Sequence, residues 1–276
     1  MKFLRNLFYV TLISLIIVGC THKTPYTNRS QMIFMSPKQE LALGEKAYKE
    51  SLSKSKVIVG TKDANKVKQI GQRIANVANR PDFKWEFNLV DNKAKNAFCL
   101  PGGKVVVYTG ILDVAKNDDQ LATVMAHEVA HALARHGAER MSSAMVQQGI
   151  QVLGNVVLQS TAPQYTNVFN QAYGIGSQVG VMLPYGRLQE NEADEIGIYL
   201  MAKAGYNIDE ALNFWQNMSA GKKETNEFFS THPSSSTRIK NINRVINDIK
   251  SQAPRVTIPS NTNKSPSNSS LGNKIH

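Results

Sequence analysis

Apolar positions along this chain fall into two spacings, and the changes from one to the other mark its elements. MSPKQELALGEKAYKESLSK (35–54) reads as a helix starting near Ser36, with Pro37 in the first turn and Glu40 completing a capping-box pattern. Residues 62–79 read as a second helix. Alternation then takes over in WEFNLV (85–90), which predicts a strand, and KVVVYTGIL (104–112) predicts another, entered through Pro101-Gly102-Gly103. Asn117 or Asp118 caps a third helix, expected to end near His136 or Gly137. Residues 138–180 keep a helical pattern with several glycines and few charges; they could pack on the core, shield a cleft or contact a membrane. RLQENEADEIGIYLMAKAGY (187–206) is again helical. From residue 251 the chain is rich in Ser, Asn and Pro without an acidic residue, which predicts a disordered tail over 251–276. No internal repeat is present.

The third helix carries the chemistry. His127, Glu128 and His131 form HEVAH, and three of the six histidines fall between positions 127 and 136. At about 100° per residue, positions four apart lie nearly in line, so both imidazoles leave one face a turn apart and can share one zinc ion. Glu128 stands beside that face, where a carboxylate can take a proton from a metal-bound water. His136 is the nearest further histidine, but on a continuous helix it faces away from the pair, as a helix-end residue.

The later helix offers a better third ligand. Glu190 and Asp194 share a face that continues through Gly197 to Met201, while Glu192 points to the opposite side. Gly197, and Ala126, Ala130, Ala132 and Ala134 on the HEVAH helix, allow the two helices to approach closely. Glu190 then completes a His2Glu site with an open fourth position. Asp194 can accept the remaining ring N–H of a ligating histidine. The competing reading of this segment is a solvated acidic face.

HEVAHALARH followed by ENEAD resembles the membrane-associated gluzincin metallopeptidases of the BepA, LoiP, YcaL and HtpX type. Further blocks share the likeness: NRSQMIFMSPKQELALGEKAY, NAFCLPGGKVVVYTGIL and THPSSSTRI, so that it covers roughly residues 28–245. The resemblance implies one zinc ion per chain on His127, His131 and Glu190, and Glu128 as catalytic base. It also implies Arg187 and Asp194 in support behind the ligands, with Gly186 where relatives often carry Ser. In THPSSSTR it implies a catalytic role for His232, as an oxyanion stabiliser or a removable fourth ligand.

Residues 1–19 begin with Lys2 and Arg5, continue through an apolar run and end at Cys20, the pattern of a signal peptide. Ile17-Val18-Gly19-Cys20 resembles a bacterial lipobox, as in LoiP and YcaL, which implies lipidation of Cys20 and anchoring without a spanning helix. Residue 21 is Thr rather than Asp, which favours the periplasmic face of the outer membrane over the inner membrane. Cys99 is then the remaining thiol, and no intramolecular disulfide is available. The net charge of +11 suits anionic lipid or acidic substrates, and no basic helix interleaved with aromatics points to nucleic acid.

Together these predict residues 20–35 as a linker and 36–250 as a mostly helical α+β, zincin-like domain with a small sheet beside the HEVAH helix. Lys104–Thr109 is expected to offer a free strand edge to extended peptide. The expected function is zinc-dependent endoproteolysis of unfolded or misassembled envelope proteins. The competing class is a chaperone-like binding module with a structural or self-blocked zinc site.

Overall fold

The computed structural model describes residues 21–177, 183–220, 232 and 236–252; the expected leader, Cys20 and the expected tail beyond 252 lie outside them. The residues expected to form a linker hold a two-stranded antiparallel ribbon, β1 (Thr21–Lys23) and β2 (Ser30–Met32). Helix α1 (Pro37–Ser53) follows. Its Ser36 hydroxyl accepts from the Gln39 amide, and the Gln39 side chain accepts from the Ser36 N–H. The capping-box partner is therefore Gln39 rather than Glu40: the third helical position is the one whose side chain reaches back to the cap. Glu40, one residue on, turns away to bind Arg135 at 2.7 Å.

Helix α2 (Lys62–Ala78) is capped by Thr61 and stopped by Asn79 in the left-handed region (φ 51°). Its buried Val67, Ile70 and Ile74 recur at helical spacing and enter the main core. A four-stranded sheet comes next, in the order β3 (Val57–Ile58), β4 (Glu86–Val90), β6 (Lys104–Tyr108), β5 (Ala97–Leu100). β4 and β6 are parallel; the outer pairings are antiparallel.

Two expectations change here. The predicted strand 104–112 ends at Tyr108, and Thr109–Leu112 forms a short helix, α3. Gly110 explains the turn: a Cβ there would stand 2.3 Å from the Lys93 carbonyl oxygen, so the chain bends where only glycine fits over the 92–94 loop. Second, β6 has no free edge, because β4 and β5 pair with it on either side. The run KVVVY is apolar because the strand is central; the outer strand is β5.

Helix α4 (Asp118–Leu133) begins at Asn117, whose side chain accepts from the Gln120 amide at 2.8 Å, and every residue from Gln120 to Leu133 is buried. It stops at Leu133, short of the expected His136 or Gly137. Arg135 takes the left-handed conformation (φ 55°) and is held there by Glu40 Oε2 and by the Met35 carbonyl at 3.3 Å. A new helix, α5 (His136–Thr161), starts immediately. Its first turns are buried at His136, Ala138, Glu139 and Ser142, whereas Val152, Leu153, Val156 and Val157 are exposed. α5 packs against α6 (Thr166–Ser177). Helices α7 (Leu183–Lys203) and α8 (Glu210–Ala220) pack against α4, and α9 (Ser236–Gln252) packs against both of them. No described helix is long and apolar enough to cross a membrane. The result is a mostly helical α+β, zincin-like domain.

Candidate metal centre and active site

α4 and α7 cross in close contact, and Gly197 makes this possible. A Cβ on Gly197 would lie 3.2 Å from the His127 backbone nitrogen and 3.3 Å from its Cα. This crossing brings Glu190, near the start of α7, against the HEVAH face of α4. His127 Nε2 and His131 Nε2 are 3.2 Å apart, and each lies 3.3 Å from a Glu190 oxygen. His232 joins them: its Nδ1 is 3.1 Å from both Glu190 oxygens and 3.3 Å from His127 Nε2. All four side chains are buried.

The donor set fits a cation. His127 Nδ1 lies 2.9 Å from Asp194 Oδ1, so its proton is committed to that carboxylate and the Nε2 lone pair faces the cluster. Ring nitrogens and a carboxylate turned towards one another, all buried, need a positive charge between them, which a proton supplies in the metal-free protein and a metal ion can supply in its place. Ligands at 2.0–2.1 Å around a tetrahedral zinc stand about 3.3 Å apart, the spacing found here. Imidazole and carboxylate are also the donors zinc prefers.

Charge around the cluster is arranged in layers. Arg238, buried on α9, donates through Nε and Nη2 to the two Asp194 oxygens at 2.7 and 2.8 Å, and its Nη1 lies 3.3 Å from Glu190. It also stacks over Trp215, whose ring meets His127 edge-on. Burial works against the Asp194 charge, but Arg238 and then His127 hold its carboxyl below the usual range. Burial likewise disfavours protonation of His127, yet Asp194 and Glu190 outweigh it and push its pKa up to about 9. For Glu190 burial is again opposed, by the surrounding imidazoles led by His131, and its carboxyl is held well below its ordinary value.

Glu128 has a different environment. Burial raises its carboxyl, only partly offset by His232 and His127. Its Oε1 is 3.4 Å from His232 Nε2 and has no hydrogen-bond partner among the described residues. The half-buried Cys99 of β5, the outer strand packed against α4, has its thiol raised by burial and by the nearby Glu128 charge.

The structure thus brings together His127, Glu128, His131, Glu190, Asp194 and His232. Arg187 does not join them: about one turn before Glu190 on α7, it is exposed. Arg238 occupies the supporting position instead, within the same THPSSSTR block as His232. His136 is a second correction. The helix break at Arg135 carries its ring back, so that Nδ1 lies 2.8 Å from His131 Nδ1 rather than facing away. Glu192 faces away from the cluster, as its spacing predicts, but it binds His136 there at 3.0 Å. Sequence reasoning missed Arg238, Trp215 and the His136–Glu192 pair.

The crossing of a His-Glu-x-x-His helix by a glutamate-bearing helix, in a small-sheet α+β domain, defines a zinc-dependent metalloendopeptidase. Comparison with known proteins narrows this. Peptidase family M48 matches residues 61–246, and the chain belongs to that family. The mitochondrial metalloendopeptidase OMA1 of Saccharomyces cerevisiae is 33% identical over 261 residues, covering 84% of this chain and 73% of the relative. OMA1 of Schizosaccharomyces pombe is 34% identical over 224 residues, covering 79% and 64% respectively. The beta-barrel assembly-enhancing protease of Yersinia pestis is 28% identical over 225 residues; those cover 78% of this chain but 46% of that protein.

Proposed function

We propose that this protein is a zinc endopeptidase of the bacterial envelope that cuts unfolded or misassembled proteins. The observation that carries the reading is the position of Glu128: a buried carboxylate with raised proton affinity, next to the His127–His131–Glu190 donor set, on the helix that packs against the outer strand β5. In this reading His127, His131 and Glu190 are the ligands. A bound zinc ion would supply Lewis acidity to the scissile carbonyl and to the attacking water. Glu128 takes the proton of that water and returns it to the leaving amine; its raised proton affinity suits both transfers. Asp194 orients His127, and Arg238 keeps Asp194 charged and in place.

The substrate class follows from the path to the site. β5 is an outer strand packed against α4, the helix that carries Glu128, so an extended segment can add to it through main-chain hydrogen bonds. Beyond Leu100 an apolar cavity of about 310 Å³ opens, lined by Met35, Leu43, Ala47, Pro101 and Met141. Unfolded chains offer both an unpaired backbone and apolar side chains; folded proteins offer neither. The name of the Yersinia relative, a protease enhancing beta-barrel assembly, supports an envelope role. The address at the periplasmic face of the outer membrane, with Cys20 lipidated, belongs to the same proposal and rests on the pattern of residues 1–20.

The chaperone-like alternative has one observation in its favour: His232 Nδ1 stands where a fourth ligand would. We read this as a resting arrangement of the enzyme, released when substrate moves His232 aside. Digestion of a permanently unfolded protein and its folded counterpart tests the proposal. Wild type should cut the unfolded form preferentially and Glu128→Gln should cut neither; equal cleavage of both forms would overturn the substrate class.

A further inference from the structure

Behind His131 lies a buried chain of hydrogen bonds that reaches the start of the described residues. Glu192 is its hub. Oε1 accepts from the hydroxyls of Thr24, at 2.7 Å, and Thr27; Oε2 accepts from Arg29 Nε at 2.7 Å and faces His136 Nε2 at 3.0 Å. The other guanidinium nitrogens of Arg29 bind both oxygens of the fully buried Glu139 at 2.6 and 2.7 Å, and Gln189 donates to Glu139 as well, at 2.8 Å. Three segments whose contacting residues are 50 to 168 positions apart in sequence thus converge on one side of the site.

The donor directions in this chain are fixed by what each member can do. An ionised carboxylate only accepts, and with Arg29 against it Glu192 remains ionised, so His136 Nε2 carries the hydrogen. The neutral His136 ring then has its lone pair on Nδ1. His131 Nδ1, 2.8 Å away, must be the donor. That leaves His131 with its lone pair on Nε2, the atom that faces His127 Nε2 and Glu190. The opposite tautomer would point an N–H into the donor set and bar that nitrogen from a metal.

We infer that His136 and Glu192, clamped by the Thr24–Arg29 strap, are positioning residues that fix the tautomer and ring orientation of His131 for metal binding. This rests on His131 being a zinc ligand. The two metal-ligand histidines are then oriented independently: His127 by Asp194 and Arg238, and His131 by a second imidazole and the strap. The strap, far from the zinc in sequence, becomes part of the active site's support.

Glu192→Gln tests this with almost no change of shape. A glutamine amide can donate to His136 Nε2, which inverts the direction of both hydrogen bonds. His136→Leu removes the acceptor, and His136→Gln supplies a carbonyl for His131 and an amide for Glu192. Zinc affinity is measured by chelator competition, the Co2+-substituted protein by its visible absorption, and the His131 tautomer by ring 15N shifts. Glu192→Gln and His136→Leu should weaken zinc binding about 10- to 100-fold and His136→Gln much less, with the folded content unchanged. Thr24→Val with Thr27→Val should shift affinity the same way by a smaller factor. Glu195→Gln, on the same helix as Glu192 but paired at the surface with Arg244 of α9, serves as the control for a surface change. Should His136→Leu fail to fold, Glu192→Gln decides alone. Wild-type zinc affinity with His131 still protonated at Nδ1 in Glu192→Gln would overturn the inference. Failure of the wild type itself to bind zinc would instead strike the metal-site reading.

Discussion

Gly197→Ala is a one-carbon test of the helix crossing. The added methyl would stand 3.2 Å from the His127 nitrogen and 3.3 Å from the Ala126 carbonyl carbon, both backbone atoms of a fully buried helix. Ordinary carbon contacts begin at about 3.5 Å, so α4 and α7 must part by about 0.3 Å. Alanine gains about 1 kcal/mol over glycine within a helix. Overpacking against an unyielding neighbour costs about 1–3 kcal/mol. The net expectation is a loss of about 1 kcal/mol, or about 2–4 °C in Tm for a domain of this size. Metal binding should suffer more, because the ligand set is split between the two helices and zinc tolerates displacements of only about 0.2 Å. Thermal unfolding with and without chelator measures the first effect, and zinc competition the second. Gly149→Ala is the comparison: it lies on α5 with open space around it and should gain up to about 1 kcal/mol. The close-contact reasoning is refuted if Gly197→Ala is stabilised like Gly149→Ala and binds zinc like wild type.

Asp194→Asn should weaken zinc binding about 10- to 100-fold while the domain stays folded, measured by chelator competition with circular dichroism alongside. His232→Ala should raise basal proteolysis of an unfolded substrate if the ring holds the fourth position at rest, and lower turnover if it stabilises the oxyanion; an unchanged rate would leave it without either role. Acid stability should depend on Glu192. Burial opposes its charge, but His136, Thr27, Thr24 and Arg29 bring its carboxyl down to about 2 from the ordinary 4.5. A carboxyl lowered on folding stabilises the native state above its unfolded value and loses that contribution as pH falls through the folded one. Urea midpoints of the metal-free protein should therefore fall between about pH 4.5 and 2, and the Glu192→Gln protein should show a shallower fall over that window.

Local geometry made part of this protein legible in its sequence. His127 and His131 share a face, as do Glu190, Asp194 and Gly197, because four residues nearly close a helical turn; Asn117 caps α4 for an equally local reason. The features that escaped depend on distant partners. Arg135 breaks the helix because Glu40 and Met35, nearly a hundred residues earlier, hold its side chain. That break sends His136 back to His131, reversing what continuous periodicity implies. β6 is central rather than free because AFCL, a four-residue strand after a polar loop, pairs with its outer side. Arg238 and Glu192 read as surface charges on their own helices; only the folded chain supplies Asp194 to one and the Thr24–Arg29 strap to the other.

The central claim is that His127, His131 and Glu190 hold one zinc ion while Glu128 acts on water without binding the metal. Elemental analysis of the purified wild type, Glu128→Gln and Glu190→Ala proteins, with peptidase assays on the same samples, tests it most directly. The account predicts about one zinc per chain in the wild type and in Glu128→Gln, with turnover lost in the latter, and loss of both metal and activity in Glu190→Ala. Full zinc content in Glu190→Ala, or substantial proteolysis by Glu128→Gln, would contradict it.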